Sequence, residues 1–382
     1  MFPSIHKKNT PVIRRIKKAA LLSALLLLAL CLLLGGEENG AGEALRLCGN
    51  VVIPSLFPFL VLSSFLADSG LAASLGRLCT PLMRVLFKLP GAAAPCLLMG
   101  LIGGYPVGAR MAAGLLEQGE LSANEATRVC CFCVCPGPAF MISAVGAHML
   151  GSVQAGFFLY AANAMSCILL GILTRFLCKK QSAAHPHQKT AYFAQPLPAA
   201  FVSSVTDGAS AMFGICAFVV IFSVLLRLLT HMGVMQAVSE FLSRLFFVSG
   251  LGADFWNSCL TGILEVTNGC KVTAPLGGLP ALSLLAFLLA FSGISVIFQI
   301  ISFLYKTDID LKQFILFRIL HAVLSCALTL LLFLLFPATS RAFAPGVQPV
   351  VIPTASYMLP SSFLLLSCVL FLLSIPTGRK ED

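Results

Sequence analysis

Charged residues are scarce in this chain. Only 10% of its 382 residues are Asp, Glu, Lys or Arg, whereas 58% are hydrophobic. Soluble globular domains carry about 25% charged residues, and a soluble chain of this length keeps roughly a quarter of its surface exposed to water. The composition therefore excludes a cytosolic enzyme, a nucleic-acid-binding protein and a disordered chain. It predicts an all-α polytopic membrane protein.

Several chemical signatures are also missing. The sequence has no GxxxxGK[ST] nucleotide-binding loop, no HExxH motif and no nucleophile elbow. An ATP-driven pump and an intramembrane enzyme are thus disfavoured, and we expect no catalytic residue, no cofactor and no bound metal. The 15 cysteines are irregularly spaced, which makes a poor disulfide framework. We interpret the four in Cys130–Cys135 as packing residues before a kink, with a soft-metal site as the alternative.

Long apolar runs are what the chain has in abundance, and most approach the ~20 residues that cross a bilayer. Uninterrupted runs lie at 19–34, 47–67, 153–177, 208–230, 280–304, 311–337 and 358–375. Runs interrupted by Gly, Pro or Asn lie at 91–116, 129–150 and 253–277. Two amphipathic stretches, 71–89 and 234–248, are expected to lie along the membrane interface. The sequence thus predicts about nine membrane segments, some of them broken.

The basic residues predict the orientation of these segments. Threading the chain from a cytoplasmic N-terminus puts 20 of its 25 Lys and Arg residues on the inside, with Arg318 in the flank 305–318. Five remain outside: Arg46, Arg227, Arg244, Lys271 and Arg341. Because positive charge accumulates on the cytoplasmic side, we expect a multi-pass protein of the cell (inner) membrane with both termini cytoplasmic. A cleaved signal peptide in the first run is the alternative.

Two parts of the chain share one order of elements: a span, an amphipathic stretch, a broken stretch and a further span. They lie about 160 residues apart and enter the membrane from opposite sides, so we predict inverted repeats, which place transporter sites near the bilayer midplane. Packing kinks are the alternative. The expected organisation is a basic tail and first transmembrane helix (1–43), a first repeat (44–177), a basic cytoplasmic linker (178–207), an inverted second repeat (208–305) and two C-terminal transmembrane helices (306–382).

The second repeat contains an acid inside an apolar stretch. Burying Glu265 in a membrane costs about 2.5–3.5 kcal/mol on insertion scales, which protonation, a pair with Lys271, or a bound ion or polar solute would offset. Thr267 and Asn268 add short polar side chains, and Gly269 permits an unwound backbone. We predict that Glu265, Thr267, Asn268 and Gly269 bind substrate. An interhelical hydrogen bond or a structural ion pair is the alternative for Glu265.

The matching break in the first repeat is rich in glycine. Gly103, Gly104, Tyr105 and Pro106 cannot continue a plain helix, and Pro106 suits the first turn of a new one. The freed amides there favour an anionic or polar group. Arg110 is either a cytoplasmic anchor or an anion partner. We predict that these five residues bind substrate and face the second break near the midplane.

Two polar features lie outside the breaks. Ser122 and Glu125 have the spacing of a capping box, so a helix is expected to begin there. Among the histidines, His321 lies within a long apolar run and is the candidate proton carrier.

The broken stretches resemble a known family. Leu98–Arg110 (LMGLIGGYPVGAR), the acidic loop to Glu125, Gly137–Phe140 and Gly262–Gly269 (GILEVTNG) are similar to segments of YlbJ-type sporulation integral membrane proteins. That family is grouped with the nucleoside-recognition Gate domain. The resemblance covers roughly residues 45–305. It implies two Gate-like repeats in an inner-membrane protein of endospore-forming bacteria that serves spore cortex formation.

Together these features predict a secondary transporter of sporulation. It would carry a small polar or anionic solute, with H+ or Na+ as the coupling ion, and its surroundings would be the lipid bilayer. We expect no nucleic-acid partner. A homo-oligomer and a sporulation membrane complex are both compatible with the sequence. The alternative function is a non-transporting membrane scaffold that recruits spore-cortex assembly enzymes, with breaks that serve only packing.

Overall fold

The computed structural model describes residues 40–177, 195–305 and 307–336. The basic tail, the predicted spans at 19–34 and 358–375, and most of the predicted linker lie outside the described residues. All regular elements of the described part are helical, which confirms the all-α prediction.

The helices before the linker run from residue 40 to residue 177. In chain order they are α1 (Gly40–Leu47), π1 (Cys48–Val52), α2 (Ile53–Asp68), α3 (Leu71–Phe87), a 3-10 turn (Gly91–Ala93), α4 (Ala94–Gly103), α5 (Tyr105–Glu117), α6 (Ala123–Cys133), π2 (Ala139–Met149) and α7 (Val153–Leu177).

The helices after the linker run from residue 197 to residue 335. In chain order they are α8 (Leu197–His231), α9 (Val234–Leu245), a 3-10 turn (Phe247–Ser249), α10 (Ala253–Leu264), α11 (Val266–Thr273), a 3-10 turn (Ala274–Leu276), α12 (Gly278–Phe291), α13 (Gly293–Leu304) and α14 (Leu311–Leu335).

Four helical stretches in the described part are long and apolar enough to cross a membrane: α7, α8, α12 with α13, and α14. A fifth arises if α3 and α4, which meet at 95°, are taken as one broken span. The predicted runs at 153–177, 208–230 and 311–337 are thus helices of spanning length. Helix α8 begins at Leu197 rather than at 208, because Pro196 precedes it and a proline occupies its first turn.

Local sequence signals determine several helix ends. The Ser122 hydroxyl accepts a hydrogen bond from the Glu125 amide, and the Glu125 carboxylate accepts one from the Ser122 amide at 2.9 Å. The predicted capping box is therefore confirmed. Asp310 caps α14 in a similar way, because its carboxylate accepts from the amides of Lys312 and Gln313.

One break differs from the sequence-based expectation. Residues 280–304 were expected to form an uninterrupted span, but α12 ends at Phe291 and α13 begins at Gly293. Ser292 and Gly293 both adopt left-handed backbone, with φ of 75° and 72°. The run does form a stretch of spanning length, Gly278–Leu304. The expectation that it is uninterrupted was wrong because one Ser-Gly pair hardly changes the hydropathy of such a run. Yet the left-handed conformation that glycine readily adopts ends the helix.

The described helices repeat one order across the two parts of the chain. Each part has a first helix (α2; α8), an amphipathic helix (α3; α9), a helix pair broken once (α4 and α5; α10 and α11), a second broken pair (α6 and π2; α12 and α13) and a last helix (α7; α14). The parts pack against each other through α2 with α8, α5 with α13, and α11 with π2. The opposite orientation of the two repeats stays a prediction.

Candidate functional site

The first break is a single residue, Gly104, between α4 and α5. Its backbone has φ 99° and ψ −174°, a conformation that glycine adopts readily. A Cβ at Gly104 would lie 3.2 Å from the amide nitrogen of Gly137, so the extended segment after α6 packs directly on the break. Gly103 ends α4, while Tyr105 and Pro106 form the first turn of α5. The predicted role of Pro106 as a helix start is confirmed.

Tyr105 reaches from this break into the second part of the chain. Its hydroxyl donates a hydrogen bond of 2.5 Å to the carbonyl of Leu289, and its side chain is buried. Leu289 lies in the last turn of α12, where the break at Ser292 leaves carbonyls without a partner in their own helix. Tyr105 therefore supports the broken end of α12.

The second break is Glu265, between α10 and α11. Its backbone is extended, and its carboxylate accepts hydrogen bonds from the amides of Thr267 at 3.0 Å and Asn268 at 2.7 Å. The side chain is 1% exposed. Glu265 is thus the N-cap of α11, and this capping offsets part of the penalty of burying an acid. The Asn268 side-chain amide donates to the Ser223 hydroxyl on α8 at 3.1 Å.

Gly269 differs from its expected role. The predicted break at 265–269 is present, but the unwound backbone that Gly269 was expected to permit lies at Glu265, and Gly269 itself is helical. Gly269 instead permits close packing, because a Cβ there would lie 2.1 Å from the Cα of Gly262 on α10. The expectation was wrong because glycine serves equally in an unwound turn and in a close helix crossing, and the sequence alone does not separate the two.

A cavity of about 510 Å³, here called the Lys271 pocket, opens beside the second break. Three basic side chains on three different elements line its exposed mouth: Arg46, Arg227 and Lys271. Buried hydroxyl groups form its inner wall: Ser223, Thr261 and Thr267. Asn50, Asn257 and Asn268 add amide groups. The pocket therefore combines positive charge at its entrance with neutral hydrogen-bonding groups at depth.

A second cavity of about 290 Å³, here called the Arg110 pocket, lies between α5, α8 and α13. Arg110 lines it together with Asp207, Ser210, Gln299 and Ser302. The Arg110 guanidinium donates to the carbonyl of Asp207 at 3.0 Å. Arg110 thus does two things: it forms a hydrogen bond to α8, and it faces a polar cavity.

The predicted site residues fall into three groups. Thr267 and Asn268 line the Lys271 pocket, and Arg110 lines the Arg110 pocket. Gly103, Gly104, Tyr105, Pro106, Glu265 and Gly269 line neither of these two cavities. They lie at the two breaks or in the helices next to them. That the two breaks form one substrate site stays a prediction.

Arg318 is a residue whose setting was misjudged from the sequence. It was expected in the cytoplasmic flank 305–318, but it lies inside α14 and is fully buried. Its guanidinium donates to the carbonyls of Val134 and, at 2.8 Å, Cys131, at the broken end of α6. The available signal was its position within the apolar run 311–337. A lone arginine near one end of a run is easily assigned to the flank.

The cysteine-rich segment at the end of α6 is entirely buried. Cys130, Cys131, Cys133 and Cys135 are free thiols. Within the described residues, no group of three or more His, Cys, Asp or Glu side chains is arranged to hold a metal ion. The segment packs tightly, since a Cβ at Gly100 on α4 would lie 1.8 Å from the Cys133 carbonyl oxygen.

Comparison with known proteins agrees with this architecture. The family model Gate, described as nucleoside recognition, matches residues 51–153, which include the first break. The "Sporulation integral membrane protein YlbJ" of Bacillus subtilis (strain 168) is 29% identical over 301 residues, covering 74% of each chain. The chain is therefore similar to a YlbJ sporulation membrane protein over most of its length, and its first part matches the Gate family model. The second break lies outside the Gate match. No solved structure matches the chain.

Proposed function

We propose that this protein is a secondary transporter of a small anionic solute, and that the Lys271 pocket is its binding site. The observation that carries the proposal is the composition of that pocket. Arg46, Arg227 and Lys271 line its mouth, and the predicted site residues Thr267 and Asn268 line its wall. Arginine and lysine recognise carboxylates and phosphates through charge-assisted hydrogen bonds. The proposal includes no chemical change of the solute.

The placement of the two pockets supports transport rather than binding alone. Asp207 in the Arg110 pocket and Thr230 in the Lys271 pocket lie on the same helix, α8. At 1.5 Å per residue, 23 residues separate them by roughly 35 Å, slightly more than the hydrocarbon core of a bilayer. A transporter needs access to its solute from each side, and the inverted repeats predicted from the sequence would supply two such routes.

The biological setting follows from the relative. Because a similar protein is named for sporulation, we propose that this protein acts in the cell membrane during sporulation, in spore cortex formation. The positive charges predict that both termini are cytoplasmic. The nucleoside description of the Gate match and the basic pocket together make nucleoside monophosphates reasonable first candidates among anions.

The binding experiment uses the purified full-length protein in lipid nanodiscs. Nucleoside monophosphates, sugar phosphates and dicarboxylates are titrated in parallel with neutral nucleosides and amino sugars. At least one anion is expected to bind, and Lys271→Gln is expected to weaken it about tenfold or more, since a hydrogen bond to a charged group contributes about 1.5–3 kcal/mol. Lys312→Gln, on the exposed first turn of α14, is the matched control and is expected to leave binding unchanged.

A second experiment separates transport from binding. Proteoliposomes loaded with the bound anion are expected to exchange it for labelled anion outside, and Lys271→Gln is expected to slow this exchange. Binding without exchange would argue against a transporter. No response to any compound in the panel would favour the membrane scaffold that recruits spore-cortex enzymes.

A further inference from the structure

A line of buried polar side chains runs along one face of α14. Arg318, His321, Ser325 and Thr329 follow one another at intervals of three or four residues, so they share a face. Each is at most 1% exposed. Polar side chains that point into the interior of a membrane-spanning bundle are functional candidates by default, because their burial is unfavourable. None of the four lines either pocket described above.

Helix α7 packs against this face and adds polar groups to it. The Asn163 side-chain amide donates to the Ser325 hydroxyl at 3.4 Å. The Cys167 sulfur lies 3.4 Å from Nε2 of His321, and both residues are fully buried. Sulfur and nitrogen can each carry the proton of this contact, so Cys167 and His321 form one proton-sharing pair.

Several polar atoms in this region have no hydrogen-bond partner among the described residues. They are Nδ1 of His321, Nε of Arg318, Oδ1 of Asn163 and Oγ1 of Thr329. Buried polar groups in proteins are nearly always satisfied by protein or by ordered water. The cluster of such atoms around His321 therefore offers hydrogen-bonding capacity that a proton or a water molecule can use.

Arg318 connects this cluster to the first break. Its guanidinium holds the carbonyls of Cys131 and Val134. The segment that follows, residues 134–137, has no regular secondary structure, and its last residue lies on the break, where a Cβ at Gly137 would be 3.3 Å from the Gly104 amide nitrogen. The hydrogen bonds from Arg318 to the end of α6 thus hold this segment against the break.

We propose that the Cys167–His321 pair is a proton-binding site, and that its protonation loosens the hold of Arg318 on the segment over the first break. The proposal rests on the transport function proposed above, because it identifies H+ as the coupling ion. One proton from water adds to the pair and raises its net charge by one; no electrons move. Arg318 lies one helical turn away on the same face, and like charges so placed repel each other, more strongly in a buried site than in water.

The charged and titratable groups that face the pair are few within the described residues. Arg318 faces it from α14 itself, Tyr160 faces it from α7, and Cys133 and Cys135 face it from the end of α6 and the segment beyond. Helix α12, which also packs against α14, contains no titratable side chain. A neutral imidazole has one ring nitrogen that can accept a proton, whereas a guanidinium has no acceptor, so the pair rather than Arg318 is the proton acceptor.

Hydrogen exchange of the full-length protein in nanodiscs tests this proposal without any solute. Exchange of the amides in residues 130–137 is compared at about pH 5.5 and about pH 7.5, on either side of the usual titration range of histidine, after correction for intrinsic rates. The wild type is expected to exchange about tenfold faster at the lower pH, and His321→Gln is expected to remove that difference. His148→Gln, at an exposed position on π2, is the matched control and should retain it.

Each outcome of this experiment is decisive. Equal corrected exchange of the wild type at both pH values overturns the proposal, as does a pH effect that persists in His321→Gln. If His321→Gln does not fold, Cys167→Ser replaces it: the midpoint of the pH effect is expected to shift, and an unchanged midpoint overturns the assignment to the pair. Anion binding is measured separately, so a pH effect without binding leaves the proton site intact and contradicts only the proposed transport.

Discussion

At the scale of single residues, side chains from one part of the chain satisfy backbone carbonyls in the other. Tyr105 donates to Leu289 across 184 residues, and Arg318 donates to Cys131 across 187. Both acceptors lie near the ends of broken helices, where carbonyls lack partners in their own helix. Each part of the chain therefore helps to stabilise a break in the other.

The hydroxyl of Tyr105 supports the break in α12. Tyr105→Phe removes the only donor group of the ring and leaves the buried Leu289 carbonyl without that bond. We expect a loss of about 1–3 kcal/mol in the free energy of unfolding, the penalty for an unsatisfied buried polar group. Denaturant unfolding in detergent micelles measures it. Tyr305→Phe, at an exposed position, should change stability little, and equal effects of both variants would contradict this role.

Because the carboxylate of Glu265 caps α11, two substitutions at this position are expected to have different effects. Glu265→Ala removes both acceptors at the start of α11 and is expected to lower stability by about 0.5–2 kcal/mol, as lost N-caps do. Glu265→Gln keeps one oxygen acceptor but loses the charge near the Lys271 pocket. We expect it to insert into the membrane normally and to fail in transport, which membrane fractionation and the anion-exchange assay measure. Wild-type sporulation of a Glu265→Gln strain would count against a functional role.

At the scale of elements, glycine determines how closely the paired helices cross. In the second break α10 and α11 touch through Gly262 and Gly269, and in the first the end of α6 lies between Gly100 and Gly108. Gly137, after α6, lies against the first break, and Gly293, at the start of α13, lies against the second break. In both parts of the chain, glycine thus allows the helices at a break to pack closely.

The crossing of α10 and α11 allows a matched test. Gly269→Ala would bring a Cβ to within 2.1 Å of the Gly262 backbone, so the helices must separate. We expect a loss of about 1–3 kcal/mol, typical of overpacking. Gly114→Ala, where nothing lies within 4 Å of the new Cβ, should be neutral or stabilising, because alanine favours helix over glycine by about 1 kcal/mol. Thermal unfolding of both variants measures the difference in stability between them. Equal melting temperatures would contradict the close crossing of α10 and α11.

At the scale of the whole molecule, α8 joins the two pockets. Its N-terminal half contributes Asp207 and Ser210 to the Arg110 pocket, and its C-terminal half contributes Arg227 and Thr230 to the Lys271 pocket. If α8 crosses the bilayer, the pockets open on opposite sides. Helix α8 then borders both ends of the proposed route.

Cysteine labelling tests this arrangement and the orientation together. Ser210→Cys is expected to react with a membrane-impermeant maleimide only in inverted vesicles, and Thr230→Cys only in intact spheroplasts. The reason is that the charge distribution puts the start of α8 inside. Peptide mass spectrometry identifies the labelled site among the native cysteines. Labelling of both from one side would contradict the spanning of α8, whereas a reversed pattern would contradict only the orientation.

Much of what the sequence predicted depends on the chemistry of a few neighbouring residues. The long apolar helices, the capping box at Ser122, the break at Gly104 and the new helix at Pro106 all follow from properties of a few adjacent residues. Hydropathy, capping and the conformational freedom of glycine act within one or two turns, so they can be recognised without the fold. Even the repeated order of elements was visible, because each element has its own local signature.

What only the tertiary structure decided involves residues far apart in the chain. The sequence singled out Glu265 but not its use as the N-cap of α11, and it assigned Gly269 to a turn rather than to a helix crossing. It did not reveal the break at Ser292, the burial of Arg318 or the cluster around His321. These features depend on which helices meet, and a buried charge or a left-handed serine is tolerated only where distant partners compensate for it. The scarce charges mark the membrane protein, but their individual roles depend on the neighbours that folding brings to them.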